Sequence, residues 1–162
     1  MATRASLAMA ITARIAAVDP VASAAGTIHN RERYIQSGQP WADAFKGTLD
    51  HVQGWWLTWD RIENEWDADG SAFGAPARLY LMTVWHVSAV DDEQDTYSSH
   101  LDRAEALGDD IMARQDLGVA GVIDFGVKVN SIENDTVFLG DYLLWRSAIE
   151  IVIPVRLSVS YA

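Results

Sequence analysis

Cysteine is absent from this chain of 162 residues, which removes a disulfide framework and any thiolate metal site. Basic side chains are scarce: 12 Lys and Arg stand against 23 Asp and Glu, a net charge of −11. A nucleic-acid binder needs a basic stripe to neutralise phosphates, so the charge disfavours that class, and docking on anionic membranes with it. No apolar run approaches the roughly 20 residues of a membrane span. Nucleophile motifs are missing: there is no Gly-x-Ser-x-Gly and no Ser-x-x-Lys. Walker loops and dinucleotide fingerprints are missing too. The four histidines, His29, His51, His86 and His100, include no pair at i, i+3 or i+4. No catalytic residue, metal or cofactor is expected on these grounds, and a non-enzymatic role is.

The chain is long enough to bury roughly 70% of its unfolded surface as one domain, residues 1–162. Its N-terminal stretch is rich in Ala, Arg and Ser, as transit peptides are, but Arg14 breaks the apolar run of a secretory signal. Leu7, Ile11, Ile15 and Val18 instead form one helical stripe, with Thr3 as N-cap and Asp19-Pro20 at the end. Pro40, Trp41, Ala44, Phe45 and Leu49 predict a short second helix.

Period-two patterns dominate the rest of the chain. Residues 51–64 read as a strand with Trp55, Leu57 and Trp59 on one face and Trp56 on the other. Residues 78–89 are apolar on both faces, which predicts a central strand. Acids at 91–95 open a long helix, with Tyr97, Leu101, Ala104, Gly108 and Ile111 on its apolar face and Leu107 and Met112 beside it. The same acids suit Mg²⁺ or Ca²⁺ but lack EF-hand spacing, and helix capping explains them. His100 is placed on the flank of that helix. Phe125, Val127 and Val129 start another strand, and Asn134-Asp135 reads as a turn.

The most regular stretch is 148–162. Ile149, Ile151, Ile153, Val155, Leu157, Val159 and Tyr161 alternate with Glu150, Arg156, Ser158 and Ser160. That predicts a long strand with one buried face, and Pro154 points to a sheet edge or a bulge. The order of elements gives an α+β domain. Its mostly antiparallel sheet has four to five strands, flanked by an N-terminal helix and a long helix near residues 92–115.

Seven tryptophans exceed what such a core requires. Core filling accounts for Trp85 and for Trp55 or Trp56, and subunit contacts suit the remainder. The residues read as interface candidates are Trp56, Trp59, Arg61, Trp66, Phe73, Trp145, Glu150 and Arg156.

Taken together, several segments resemble the tail terminator proteins of long-tailed, lambda-like bacteriophages. They are the N-terminal helix leading to Ile28-His29-Asn30-Arg31-Glu32-Arg33-Tyr34, then Val52-Gln53-Gly54-Trp55-Trp56-Leu57-Thr58-Trp59-Asp60-Arg61, then Val90-Asp91-Asp92-Glu93-Gln94-Asp95 heading the long helix, and the alternating last strand. The resemblance implies a structural virion protein, assembled in the host cytoplasm and resident in the tail or neck. It implies a ring, usually a hexamer, that ends tube polymerisation and forms the head–tail joining surface. Its partners would be further copies of itself, the tail tube protein and a head-completion or stopper protein. DNA would pass an acidic lumen without specific binding. Residues 67–77, with Phe73 between glycines, would be an arm reaching the tube. The tryptophan load and Pro154 depart from the family pattern and leave open another neck component, such as a stopper. A reading from a different class is a small-molecule-binding or enzymatic domain with a pocket lined by Trp55, Trp59, Trp85 and Tyr80.

Overall fold

Leu7, Ile11 and Ile15 recur at every fourth position, and that stripe fixes how the first helix docks. Helix α1 (Arg4–Ile15) buries all three completely, together with Ala8. Thr3 caps it: its hydroxyl accepts from the Ser6 N–H while the Ser6 hydroxyl accepts from the Thr3 N–H. The structure is a computed structural model that describes residues 2–18, 26–29, 45, 52–65, 76–90, 96–114, 116–124, 126–139 and 142–157.

Five strands form one sheet: β1 (Thr27–His29), β2 (Gln53–Glu65), β3 (Ala77–Ala89), β4 (Lys128–Leu139) and β5 (Tyr142–Arg156), in the order β1-β2-β3-β5-β4. Every pairing is antiparallel except β1 with β2. The α+β class and the mostly antiparallel sheet are as the sequence predicts. The central place of β3 is too, since it pairs with β2 on one side and β5 on the other along its whole length.

A longer helix, α2 (Thr96–Ala113), packs with α1 on one face of the sheet. Arg14 of α1 clamps Asp110 of α2 through two bonds, Nε at 2.6 Å and Nη2 at 2.9 Å. Beneath the helices, Trp55, Leu57, Tyr80, Met82, Val84, Ile149, Ile151, Ile153 and Val155 supply the main core. Burying each of these large side chains contributes about 1.5–3 kcal/mol before chain entropy is counted. A smaller cluster of Phe45, Val52, Val87 and Leu144 sits on the opposite face at one end.

Several expectations need correction. The last strand is not at an edge. It begins at Tyr142 and is flanked by β3 and β4, so its odd positions from 149 to 155 do face the core while its backbone is paired on both sides. Pro154 is accommodated because its carbonyl, accepting from the Ile123 N–H at 2.9 Å, points past the end of β4 rather than at β3. Its missing N–H therefore interrupts no bond to β3. Asn134 and Asp135 are not a turn. They lie inside β4, opposite Ser147 and Arg146, and the chain reverses between the paired residues Leu139 and Tyr142. On α2, Tyr97 and Met112 are exposed, and His100 takes a place in the core. The acidic run 91–95, the short helix around 41–49 except Phe45, most of the arm at 67–77, Phe125, and the strand's last positions from 158 lie outside the described residues.

Candidate functional site

Alternation along each strand sends one set of side chains to the helices and the other to a second face that neither α1 nor α2 covers. Trp56, Thr58, Thr83, Trp85, Arg146, Ala148 and Glu150 belong to this second set. Trp56 and Trp85 are directly opposite in the register, and their rings stack 5.7 Å apart with an 8° angle between planes. The Trp85 indole N–H donates to Thr58 Oγ1 at 2.9 Å. Arg146 lies 5.3 Å from the Trp85 ring centre while its guanidinium grips both Asp135 oxygens. That hydrogen-bonded carboxylate raises the Arg146 pKa above its ordinary value, with burial working against it. The two rings thus form a stacked pair with a cation fixed against Trp85.

Beside the stacked pair is a depression of about 240 Å³. Two irregularities frame it. The pairing of β2 with β3 slips at Asp60, and that of β4 with β5 slips at Asn130. Each extra residue turns a polar side chain toward the hollow, as bulges commonly do. The Asp60 carboxylate accepts from the Thr83 hydroxyl at 2.8 Å, Glu150 lies across from Thr83 in the register, and Arg61 lines the rim. Arg61 Nε also meets Glu63 Oε1 at 2.8 Å on the exposed end of β2.

Trp56, Arg61, Glu150 and Arg156 therefore share one face, although they come from two strands far apart in the sequence. Trp59 and Trp145 are elsewhere. Trp59 turns to the helical face, edge-on to Tyr80 at 6.0 Å. Trp145 packs 4.7 Å from Tyr97 and donates to Thr96 Oγ1 at 3.1 Å. Next to it on the same face, Phe138 and Leu143 form an exposed apolar cross-strand pair. Trp66 and Phe73 lie outside the described residues. The four aromatic residues of the pocket reading do not line one cavity: Trp55, Trp59 and Tyr80 are on the helical face and Trp85 on the other.

A second polar constellation is sealed beneath α2, and no sequence motif announces it. Trp55, His86 and His100 stack in series, with ring centres 3.9 Å and then 4.5 Å apart and planes within 13°. The hydroxyls of Ser88 and Ser147 meet His100 at Nδ1 (2.8 Å) and Nε2 (2.7 Å), and Ser147 donates onward to Asn134 Oδ1. His86 Nδ1 faces the Gly54 carbonyl at 3.2 Å. Burial lowers the His100 pKa to about 4, with the nearby Arg103 cation adding to the effect. Burial holds His86 well below its ordinary value as well, helped by His100 and Arg103 and opposed by the Gly54 carbonyl. Although Ser147 and His100 are at nucleophile–base distance, both are fully buried, so no substrate reaches them in this structure. The only sequence signal for this cluster is His100 four residues before Ala104, inside an apolar stripe.

No group of three or more His, Asp and Glu side chains suited to holding a metal ion occurs among the described residues. No protein-family model matches the chain, and no curated protein matches it in sequence.

Proposed function

We propose that this protein is a structural ring subunit that caps a bacteriophage tail tube, ends its polymerisation and presents the surface on which the head is joined. The observation that carries this reading is the second sheet face, which carries Trp56, Arg61, Glu150 and Arg156 along its length together with a stacked indole pair and a bulge-framed hollow. Stacked indoles and a fixed arginine are the groups that dominate protein–protein contacts. At about 240 Å³ the depression is smaller than the cavities that usually enclose small ligands, which favours a macromolecular partner over a metabolite.

Charge supports the same reading. A ring through which DNA passes must not hold phosphates, and a net charge of −11 repels them. Closure of the ring would use each subunit's face against a different surface of its neighbour, a heterologous contact that terminates only when the circle is complete. The partners on this reading are further copies of the chain, the tube protein below and a head-completion protein above.

The direct test is a length assay. Tube protein from the same phage is polymerised with and without the purified chain, and tube lengths are measured by electron microscopy. Short, uniform tubes in its presence support capping; an unchanged length distribution contradicts it.

A further inference from the structure

We infer that the stacked His86–His100 pair is an acid-sensitive latch, which holds α2 on the sheet while both imidazoles are neutral and releases the helix when a proton enters.

The hydrogen-bond directions fix the tautomer of a neutral His100. Ser147 donates its hydroxyl proton to Asn134 Oδ1, so its oxygen accepts from His100 Nε2–H. In the neutral ring Nδ1 is unprotonated and accepts from the Ser88 hydroxyl. One chain of bonds thus ties α2 to β3, β5 and β4. His86 uses Nδ1–H toward Gly54, and its Nε2 has no hydrogen-bond partner among the described residues. A proton added at His86 Nε2 would therefore meet no acceptor, and one added at His100 Nδ1 would force the bond to Ser88 to reverse. A proton on each ring would set two cations face to face at 4.5 Å.

The neighbours offer little compensation, since the Gly54 carbonyl only partly offsets burial at His86. From β2 the cluster sees the Trp55 indole and the Gly54 carbonyl, from β3 Ser88, from β5 Ser147, and from β4 Asn134. From α2 it sees Arg103, a cation whose own pKa is lowered by burial and which Asp102 partly offsets. Among the described residues, no carboxylate bonds to either imidazole. Releasing α2 exposes both rings to water, where they protonate at the ordinary histidine value of about 6.5. The open state is therefore favoured by roughly tenfold per pH unit for each imidazole as pH falls from 6.5 toward the folded-state values. The loosening element is α2 because His100 is the point through which it bonds to three strands, whereas β2, β3 and β5 keep their backbone ladders.

The test is hydrogen exchange of the full chain at pH 7 and pH 5, corrected for the intrinsic pH dependence of exchange. The latch predicts that amides of residues 100–111 lose protection by at least tenfold at pH 5, while those of β3 and β5 keep theirs. In His86→Phe/His100→Gln, which retains a flat ring against Trp55 and a hydrogen-bonding group for the serines, that loss should shrink to under threefold. Unchanged protection of α2 overturns the proposal, as does simultaneous loss in β3 and β5 or a full acid response in the double variant. Should that variant not fold, the imidazole titrations of the wild-type chain by NMR decide: folded-state values below 6.5 for both rings support the latch, and a value at or above 6.5 for either overturns it.

Discussion

His86 and His100 lie face to face, 11° from parallel, at the junction of the central strand and the helix that covers it. This pairing gives the protein a pH dependence with a definite sign. Both rings have folded-state values below the unfolded one, so between those values the unfolded chain binds more protons and stability rises with pH. The contribution is complete above about pH 6.5 and falls as pH drops toward 4. For His100 alone the loss approaches about 3 kcal/mol, since each pKa unit corresponds to about 1.4 kcal/mol. Urea midpoints measured at pH 7.5, 6.5, 5.5 and 4.5 should show a plateau above 6.5 and a progressive fall below it. A flat profile down to 4.5 would contradict the buried neutral state.

Trp55 and Trp56 are neighbours in sequence with opposite duties. Trp55 is fully buried on the helical face, so Trp55→Ala should cost about 3–5 kcal/mol. Trp56 is half-buried on the second face, stacked on Trp85 and 5.4 Å from Phe45. Trp56→Ala should cost only about 1–2 kcal/mol, while impairing assembly more than any stability loss explains. Denaturation of the two variants side by side checks the order, and equal losses would undo the assignment of faces.

Gly54 is where three elements meet. A Cβ there would stand 2.3 Å from Phe45 Cδ1 and 2.7 Å from the Thr27 carbonyl oxygen. The first neighbour is a packed ring and the second is backbone, so Gly54→Ala should destabilise by about 1–3 kcal/mol or more. Gly118→Ala is a useful contrast, because nothing lies within 4 Å and only the φ of +69° opposes it, at about 1–2 kcal/mol. Thermal melts of the pair would show the larger drop for Gly54→Ala.

Arg61 and Arg156 are exposed and extend the second face at its far end. The Arg61–Glu63 pair is solvent-exposed, a class of contact that contributes little. Arg61→Glu with Arg156→Glu should therefore stay within about 0.5–1 kcal/mol of the wild type while abolishing ring contacts. Sedimentation of the variant with tube protein separates the two effects. Unaltered assembly would remove this face from the proposed interface.

The sequence pattern carried the main geometry because period-two and period-four burial is local. Ile149, Ile151, Ile153 and Val155 were legible as one buried face, and Leu7, Ile11 and Ile15 as one helical stripe. Neighbour relations were not legible. Alternation says which side chains of β5 are buried but not that β4 folds back beside it, so Pro154 suggested an edge where the carbonyl to Ile123 shows an interior strand that outruns its partner. Asn134 and Asp135 have turn-forming side chains, but Ser147 and Arg146 bind them across the ladder and hold them in β4. The grouping of Trp56 with Glu150 and Arg156 depends on register between strands far apart in the chain, which no local pattern encodes. The histidine stack is hidden for the same reason: His86 and His100 have no helical spacing and meet only because α2 crosses β3.

Electron microscopy of phage tails assembled with a chain bearing a resolvable tag at residue 2 tests the ring most directly. Capping predicts tag density at one end of every tube only, the head-proximal end, with about six copies arranged in a closed ring. Tag distributed along the tube, or absent from finished tails, would contradict it.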